Sequence, residues 1–288
     1  MSATADVLAG SASPGQRATR LRLRPGVVLA VLVVATAALA ALWPQLLTDR
    51  SPDATAPAQA LQPPDGEHLF GTDQLGRDVY ARVVHGTWLS LEIGVGATAI
   101  GALGGTVLGL AAGLGGRVVD ALLMRVTDVL TAFPELLLAL LVITVTGPGT
   151  ANVLVSIGVA AVPGYARLVR ARALVVRRAE YIEAGVALGL SRPVLVLRHI
   201  LPNTLGPLLV LASIGTGTAV VSGAALGYLG LGPRPPAAEW GVMLADGQDF
   251  VQTAWWTTVF PGLAIAAIVL AVTVLGRRLR ARGAEVGR

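Results

Sequence analysis

The feature that most constrains this chain is its series of long apolar runs. Stretches of roughly 18 or more apolar residues can cross a bilayer. Several occur here, at 26–43, 88–113, 127–146, 151–166, 204–230 and 257–276. Charged residues make up only 14% of the 288 residues and hydrophobic ones 54%, against about 25% charged in a soluble domain. A large soluble core does not explain that deficit, because the apolar residues are continuous rather than periodic. The expectation is an all-α polytopic membrane protein.

The first run, 26–43, follows Arg17, Arg20, Arg22 and Arg24 and ends on Trp43. Ala38-Leu39-Ala40 resembles a signal-peptidase site, but the run is long for a signal segment and more spans follow, so it reads as an uncleaved helix after a tail at 1–25. Residues 44–87 are rich in proline and acid and form a loop outside the bilayer. Five further spans occupy 88–277, with a tail at 278–288. Residues 136–166 carry no charge; as one helix they would reach about 46 Å at 1.5 Å per residue, well beyond a hydrocarbon core of about 30 Å. Gly147-Pro148-Gly149 therefore reads as a tight hairpin between two spans.

Arginine distribution sets the count and orientation. Basic residues near span ends favour the cytoplasm. Six spans starting inside put the tail arginines, Arg117, Arg125, the series Arg167 to Arg198 and the final group from Arg277 in the cytoplasm; only Arg50, Arg77, Arg82 and Arg234 fall outside. Five spans would put an arginine-rich end on the wrong side.

The inventory excludes much chemistry. There is no cysteine, and His68, His85 and His199 are scattered, so disulfide, thiolate and histidine-cluster metal sites are excluded. All 22 basic residues are arginine. A phosphate-binding loop needs a lysine that reaches the nucleotide, so ATP, if used, is bound by a partner. The net charge of +5 follows membrane topology rather than nucleic-acid binding. Gly94-x-Gly96-x-x-Ala99 superficially matches a dinucleotide fingerprint, but it lies inside a span with no strand before it.

Small residues recur every four positions at Ala97, Gly101, Gly105, Gly109 and Gly113, and again at Gly215, Ala219, Gly223 and Gly227. Such ridges let helices approach closely in lipid. Glu135, after Pro134, is an acid within a span and so a candidate contact on a solute path, or else a partner for Arg125 or the surroundings of Asp128. Glu92 reads as interfacial. Asp73, Arg77 and Asp78 read either as a structural ion-pair network or as a docking surface.

The most informative stretch is Glu180 to Asn203, a cytoplasmic segment within a loop at 167–203. Tyr181 to Leu190 can form a short amphipathic helix, ended by Ser191-Arg192-Pro193. This stretch resembles the Glu-Ala-Ala motif of ATP-binding-cassette importer permeases, matching at Glu183, Ala184, Gly189, Leu201 and Pro202, with Gly185 in place of the second alanine and His199 in place of an isoleucine. The likeness extends over about 68–278. His68-Leu-Phe-Gly-Thr-Asp-Gln-Leu-Gly-Arg-Asp78, Pro163-Gly-Tyr-Ala-Arg167, Leu229-Gly-Leu-Gly232, Trp240-Gly241 and Phe260-Pro-Gly262 are similar to the C-type subunit of the dipeptide/oligopeptide and nickel branch.

The resemblance implies a type I importer permease fold with no catalytic or metal site of its own. ATP and magnesium would sit on two cytoplasmic ATPase subunits. A second, homologous permease subunit and an extracytoplasmic substrate-binding protein would complete the complex in the cytoplasmic membrane. Glu183, Ala184, Gly185, Gly189, Leu201 and Pro202 would couple to an ATPase groove. The competing expectation is an ion-coupled carrier, which would need acids deep in several spans and inverted repeats.

Overall fold

The computed structural model describes residues 25–286; the tail arginines before Pro25 lie outside the described residues. Ten α-helices account for the architecture, and no strand occurs among the described residues. They are α1 (Pro25–Leu42), α2 (Val79–Leu114), α3 (Arg117–Thr131), α4 (Glu135–Thr146), α5 (Thr150–Val176), α6 (Glu180–Ala187), α7 (Arg192–Leu195), α8 (Leu201–Tyr228), α9 (Trp240–Gly247) and α10 (Trp256–Val286). Five of them, with α7 and α8 taken as one, are long and apolar enough to cross a membrane, and the bent pair α3–α4 makes six where it counts as one span.

The crossings alternate. The end of α1 lies beside the start of α2, where the Tyr80 hydroxyl donates to the Leu47 carbonyl at 3.2 Å. The end of α2 meets the end of α5, where the Arg177 guanidinium donates to the Gly113 carbonyl at 2.7 Å. The start of α5 lies beside the end of α8, through Gly149 N–H to the Leu231 carbonyl at 3.2 Å. Helix α10 runs antiparallel to α8, with Gly276 against Ser213 and Gly217 against Val272. Both described chain ends therefore share one face with α6, while the segment before α2, α9 and the α4–α5 turn share the other.

The small-residue ridges are packing faces. Along α2, Gly101, Gly105, Gly109 and Gly113 are buried against Tyr165, Ala166, Val169 and Ala173 of α5. On α8, Gly223 admits Ile93, and Gly94 of α2 admits Val220 in return. With no hydrophobic drive between helices in lipid, this close approach supplies the dispersion that holds the bundle. Ile93, Leu138, Ile143 and Ile157 form one core cluster, and Val79, Trp240, Met243, Trp256 and Ile268 form a second.

Two expectations need correction. The third span is not a straight helix over 127–146, because α3 and α4 meet at 94° across Ala132–Pro134. Proline lacks an N–H and drives the preceding residue out of the α region, and Pro134 itself is extended, at φ −55° and ψ 133°. The helix that carries the second span begins at Val79 rather than at 88, so the last residues of the 44–87 stretch are helical. Asp78 caps α2 by accepting the Ala81 N–H at 2.8 Å. At 36 residues this helix is about 54 Å long, so its first turns stand outside the hydrocarbon. Gly147-Pro148-Gly149 is the expected hairpin turn: Gly147 and Gly149 adopt φ of 85° and 133°, and Asn152 donates to the Thr146 and Gly147 carbonyls at 2.8 and 3.1 Å.

Candidate functional site

Three places carry polar chemistry: the segment from Glu180, a cavity inside the bundle, and the cap on the face opposite α6.

The loop expected at 167–203 is mostly helical. Helix α5 runs on to Val176, and α6 folds back beneath it. Ile182 and Gly185 face inward, and Ile182 clusters with Ala173, Ile200, Leu110 and Leu114. The period of 3.6 then turns Tyr181, Glu183, Ala184, Val186 and Leu188 outward, Leu188 with 82% of its surface exposed. A Cβ at position 185 would lie 2.9 Å from Leu195 Cδ2, so the glycine lets Leu195 close over the helix.

The end of α6 is a Schellman motif. The Gly189 N–H bonds the Val186 carbonyl and the Leu190 N–H the Gly185 carbonyl, each at 3.0 Å. Gly189 sits at φ 78°, a region costly for residues with a side chain. Ser191 then precedes α7, with Pro193 in its first turn, and a π turn at Val196–Ile200 leads into α8. Glu183, Ala184, Gly185 and Gly189 are thus one helix-and-turn unit. Leu201 and Pro202 lie apart from it, in the first turn of α8.

The cavity, about 380 Å³, lies between α2, the α3–α4 bend, α5 and α8. Its lining includes Thr98, Thr131, Phe133, Glu135, Tyr165 and Thr218. Glu135 forms no ion pair among the described residues. Asp128, one suggested neighbour, is engaged elsewhere: Arg167 Nη2 contacts its Oδ1 at 2.7 Å and also donates to the Thr131 hydroxyl. One turn along α5, Arg170 grips Asp120 of α3 with two donors, the Nη2–Oδ2 bond being 2.6 Å. Sequence reasoning missed these links. The signal was available: Arg167 and Arg170 share a face of α5, and Asp120 and Asp128 share one of α3.

On the face opposite α6, Asp73, Arg77 and Asp78 are turned inward, as a structural network rather than a docking surface. Asp73 Oδ2 meets Arg77 Nε at 2.6 Å and Arg82 Nε at 3.7 Å, and Arg77 reaches Asp246 at 3.4 Å. His68 Nδ1 lies 2.8 Å from Asp78 Oδ2, which also meets Arg50 at 3.3 Å. Phe70 stacks on Phe260 at 3.9 Å, and Trp256 donates to the Thr72 carbonyl at 3.0 Å. These contacts weld residues 50–82 to α9 and α10.

Glu239, also missed, is almost fully buried. Its Oε1 accepts Gly241 N–H at 2.9 Å and the Ser90 hydroxyl at 3.2 Å, and its Oε2 accepts Val242 N–H at 2.9 Å. Burial pushes its pKa above the ordinary glutamate value, while the three donors pull it back. Glutamate is not among the residues favoured at an N-cap, so the local sequence carried no sign of this role.

Comparison with known proteins matches residues 105–282 to the family described as binding-protein-dependent transport system inner membrane component. The dipeptide transport system permease protein DppC of Alkalihalophilus pseudofirmus is 42% identical over 88% of this chain and 83% of its own length. The probable D,D-dipeptide transport system permease protein DdpC of Escherichia coli is 37% identical over 90% of this chain and 87% of its own. The glutathione transport system permease protein GsiD, also of Escherichia coli, is 45% identical over 75% of this chain and 72% of its own. Among solved structures, an inward-facing form of the MetNI methionine ABC transporter aligns with a TM-score of 0.55 at 22% identity. That alignment covers 69% of this chain and 95% of the other.

Proposed function

Because this chain belongs to the family of binding-protein-dependent inner membrane transport components, we propose that it forms half of the membrane pathway of an ATP-driven importer of short peptides. The relatives named for dipeptides, D,D-dipeptides and glutathione support a peptide-like solute. None of them supports an ion-coupled carrier. The partners would be a homologous permease subunit, two cytoplasmic ATPases and an extracytoplasmic binding protein. ATP and magnesium would reside on the ATPases, since this chain has no lysine for a phosphate loop. Both termini would be cytoplasmic.

The observation that carries the reading is α6. It is a short helix with Glu183, Ala184 and Val186 turned outward, fixed from behind by Ile182 and ended by Gly189. Such a helix suits a groove on a partner. Closure of the ATPases would displace it, and the spans would follow as a two-state element biased by the partner's nucleotide.

The test is reconstitution of the two permease subunits with both ATPases and the binding protein, carrying Glu183→Arg or Gly189→Val. Both variants should reach normal membrane levels. ATPase stimulation by the loaded binding protein and solute uptake should fall together, by at least tenfold for Glu183→Arg. Unchanged stimulation in both would refute the role of α6.

A further inference from the structure

The cavity has a composition that selects for charge. It is bounded by the middle of α5, from Ile157 to Tyr165, and of α8, from Leu211 to Ala219, so it lies at the depth of the bilayer. Its volume of about 380 Å³ falls within the roughly 300–1,000 Å³ of sites that hold small molecules.

Most of the lining is apolar, and several polar groups are already occupied. The Thr98 hydroxyl donates to the Gly94 carbonyl at 2.8 Å, and that of Thr131 to the Thr127 carbonyl at 2.9 Å. Glu135 is the one carboxylate among the lining residues. It has neither an ion pair nor a side-chain hydrogen bond among the described residues, and the nearby Arg167 is committed to Asp128 and Thr131.

Glu135 is exposed in this chain, and an unpaired acid at the depth of a span marks a functional site by default. The first turn of α4 suits an acid, because N–H dipoles favour a negative charge there. That preference holds for any rotation of the helix, so it does not explain why the acid faces the cavity. The neighbours point to a ligand: the rings of Phe133 and Tyr165 line the same space, and aromatic faces attract ammonium groups. A divalent metal would want several oxygen ligands, and no second acid lines the cavity.

We propose that Glu135, with Phe133 and Tyr165, forms a recognition site for a primary ammonium group carried by the transported solute. The free amino terminus of a short peptide is the matching chemistry. This rests on the importer reading above. The binding protein delivers the solute, and Glu135 offers the charged end a counter-ion midway across, so the ammonium is never left unpaired in the low-dielectric interior. A solute with a blocked amino terminus forgoes that counter-ion and leaves the carboxylate unpaired.

The test uses the purified complex of both permease subunits and both ATPases, without the binding protein, so that only this pathway selects. The probes are alanyl-alanine amide, which is cationic, and its neutral N-acetyl derivative. Wild type should bind the cationic probe at least tenfold more tightly than the neutral one. Glu135→Gln should lose that preference, and Glu135→Asp should restore part of it. Phe133→Leu, at an exposed position, should weaken the cationic probe several-fold. Wild-type binding that ignores the amino group, or undiminished preference in Glu135→Gln, would overturn the site. Uptake with the binding protein restored separates the two claims. If the wild-type complex takes up neither peptide, the importer reading falls and this inference with it; if it takes up peptide and Glu135→Gln matches it for both probes, only the inference falls.

Discussion

Replacing Gly109 with alanine adds one methyl where α2 packs directly against the backbone of α5. The new Cβ would lie 2.6 Å from the Ala166 carbonyl oxygen, 2.7 Å from Val169 Cβ and 3.0 Å from Arg170 N. Two of these are backbone atoms, so no side chain can rotate away. Ordinary contact needs separations of about 3.5 Å, and a gap of 0.5–1 Å forfeits a quarter to a half of the dispersion at each affected pair. Overpacking of this kind costs about 1–3 kcal/mol, and the gain in helix propensity returns up to about 1 kcal/mol. The expected net loss is about 1–2 kcal/mol. Gly164 of α5 is the control, because a Cβ there meets nothing within 4 Å and Gly164→Ala should gain up to about 1 kcal/mol from propensity. Equilibrium unfolding of each purified variant in mixed micelles, titrated with a denaturing detergent and followed by tryptophan fluorescence, measures both. If Gly109→Ala proved as stable as Gly164→Ala, Gly109 would not sit in close contact with α5, and the packing argument would fail.

Single cysteines at Ala60 and Asp249 should react with an impermeant thiol reagent from outside, and one at Glu180 should not; the lack of native cysteine makes labelling of whole cells unambiguous. Glu239 should make stability fall as pH rises. Its folded-state pKa lies above the ordinary 4.5, so the fold holds the proton more tightly than the unfolded chain. The benefit is fully present below 4.5 and is lost as pH passes up through the elevated value. Unfolding at about pH 5 and about pH 7.5 should therefore differ more in wild type than in Glu239→Gln. A double-mutant cycle on Arg170 and Asp120, which are partly exposed, should give a coupling of about 0.5–1 kcal/mol after solvent screening. Zero coupling would mean that α3 is held to α5 by apolar contact alone.

Much of the bundle was legible because lipid imposes length and sign. Apolar runs marked the crossings, and arginines marked one face. The small-residue ridges were readable because every fourth residue shares a helix face. Hydropathy carries no direction, however, so the 94° elbow at Ala132–Pro134 was hidden within a continuous apolar stretch. The start of α2 was missed for another reason. Arg82 and His85 look like loop residues, yet Arg82 is 2% exposed and donates to the carbonyls of Pro52 and Pro236 at 3.2 and 3.3 Å. Those acceptors are distant in sequence, and only the closed fold brings them together. In the segment from Glu180, the helical period separated the inward Ile182 from the outward Glu183, and the glycine at 189 marked the stop. The cavity around Glu135 could not be read, since its walls come from four separate stretches of chain.

The continuity of α7, the π turn and α8 has a mechanical consequence. Arg192 to Tyr228 form 37 helical residues without a break, about 55 Å from end to end. Its inner end carries Leu195, which closes over Gly185 of α6. At its outer end Gly227 lies against the Glu239 carboxylate. A helix joined at both ends would pass a push on α6 toward the cap, with the π turn and Pro207 as its softer points. Both lie toward the driven end, so they affect how much of the push enters the helix rather than where the helix delivers it.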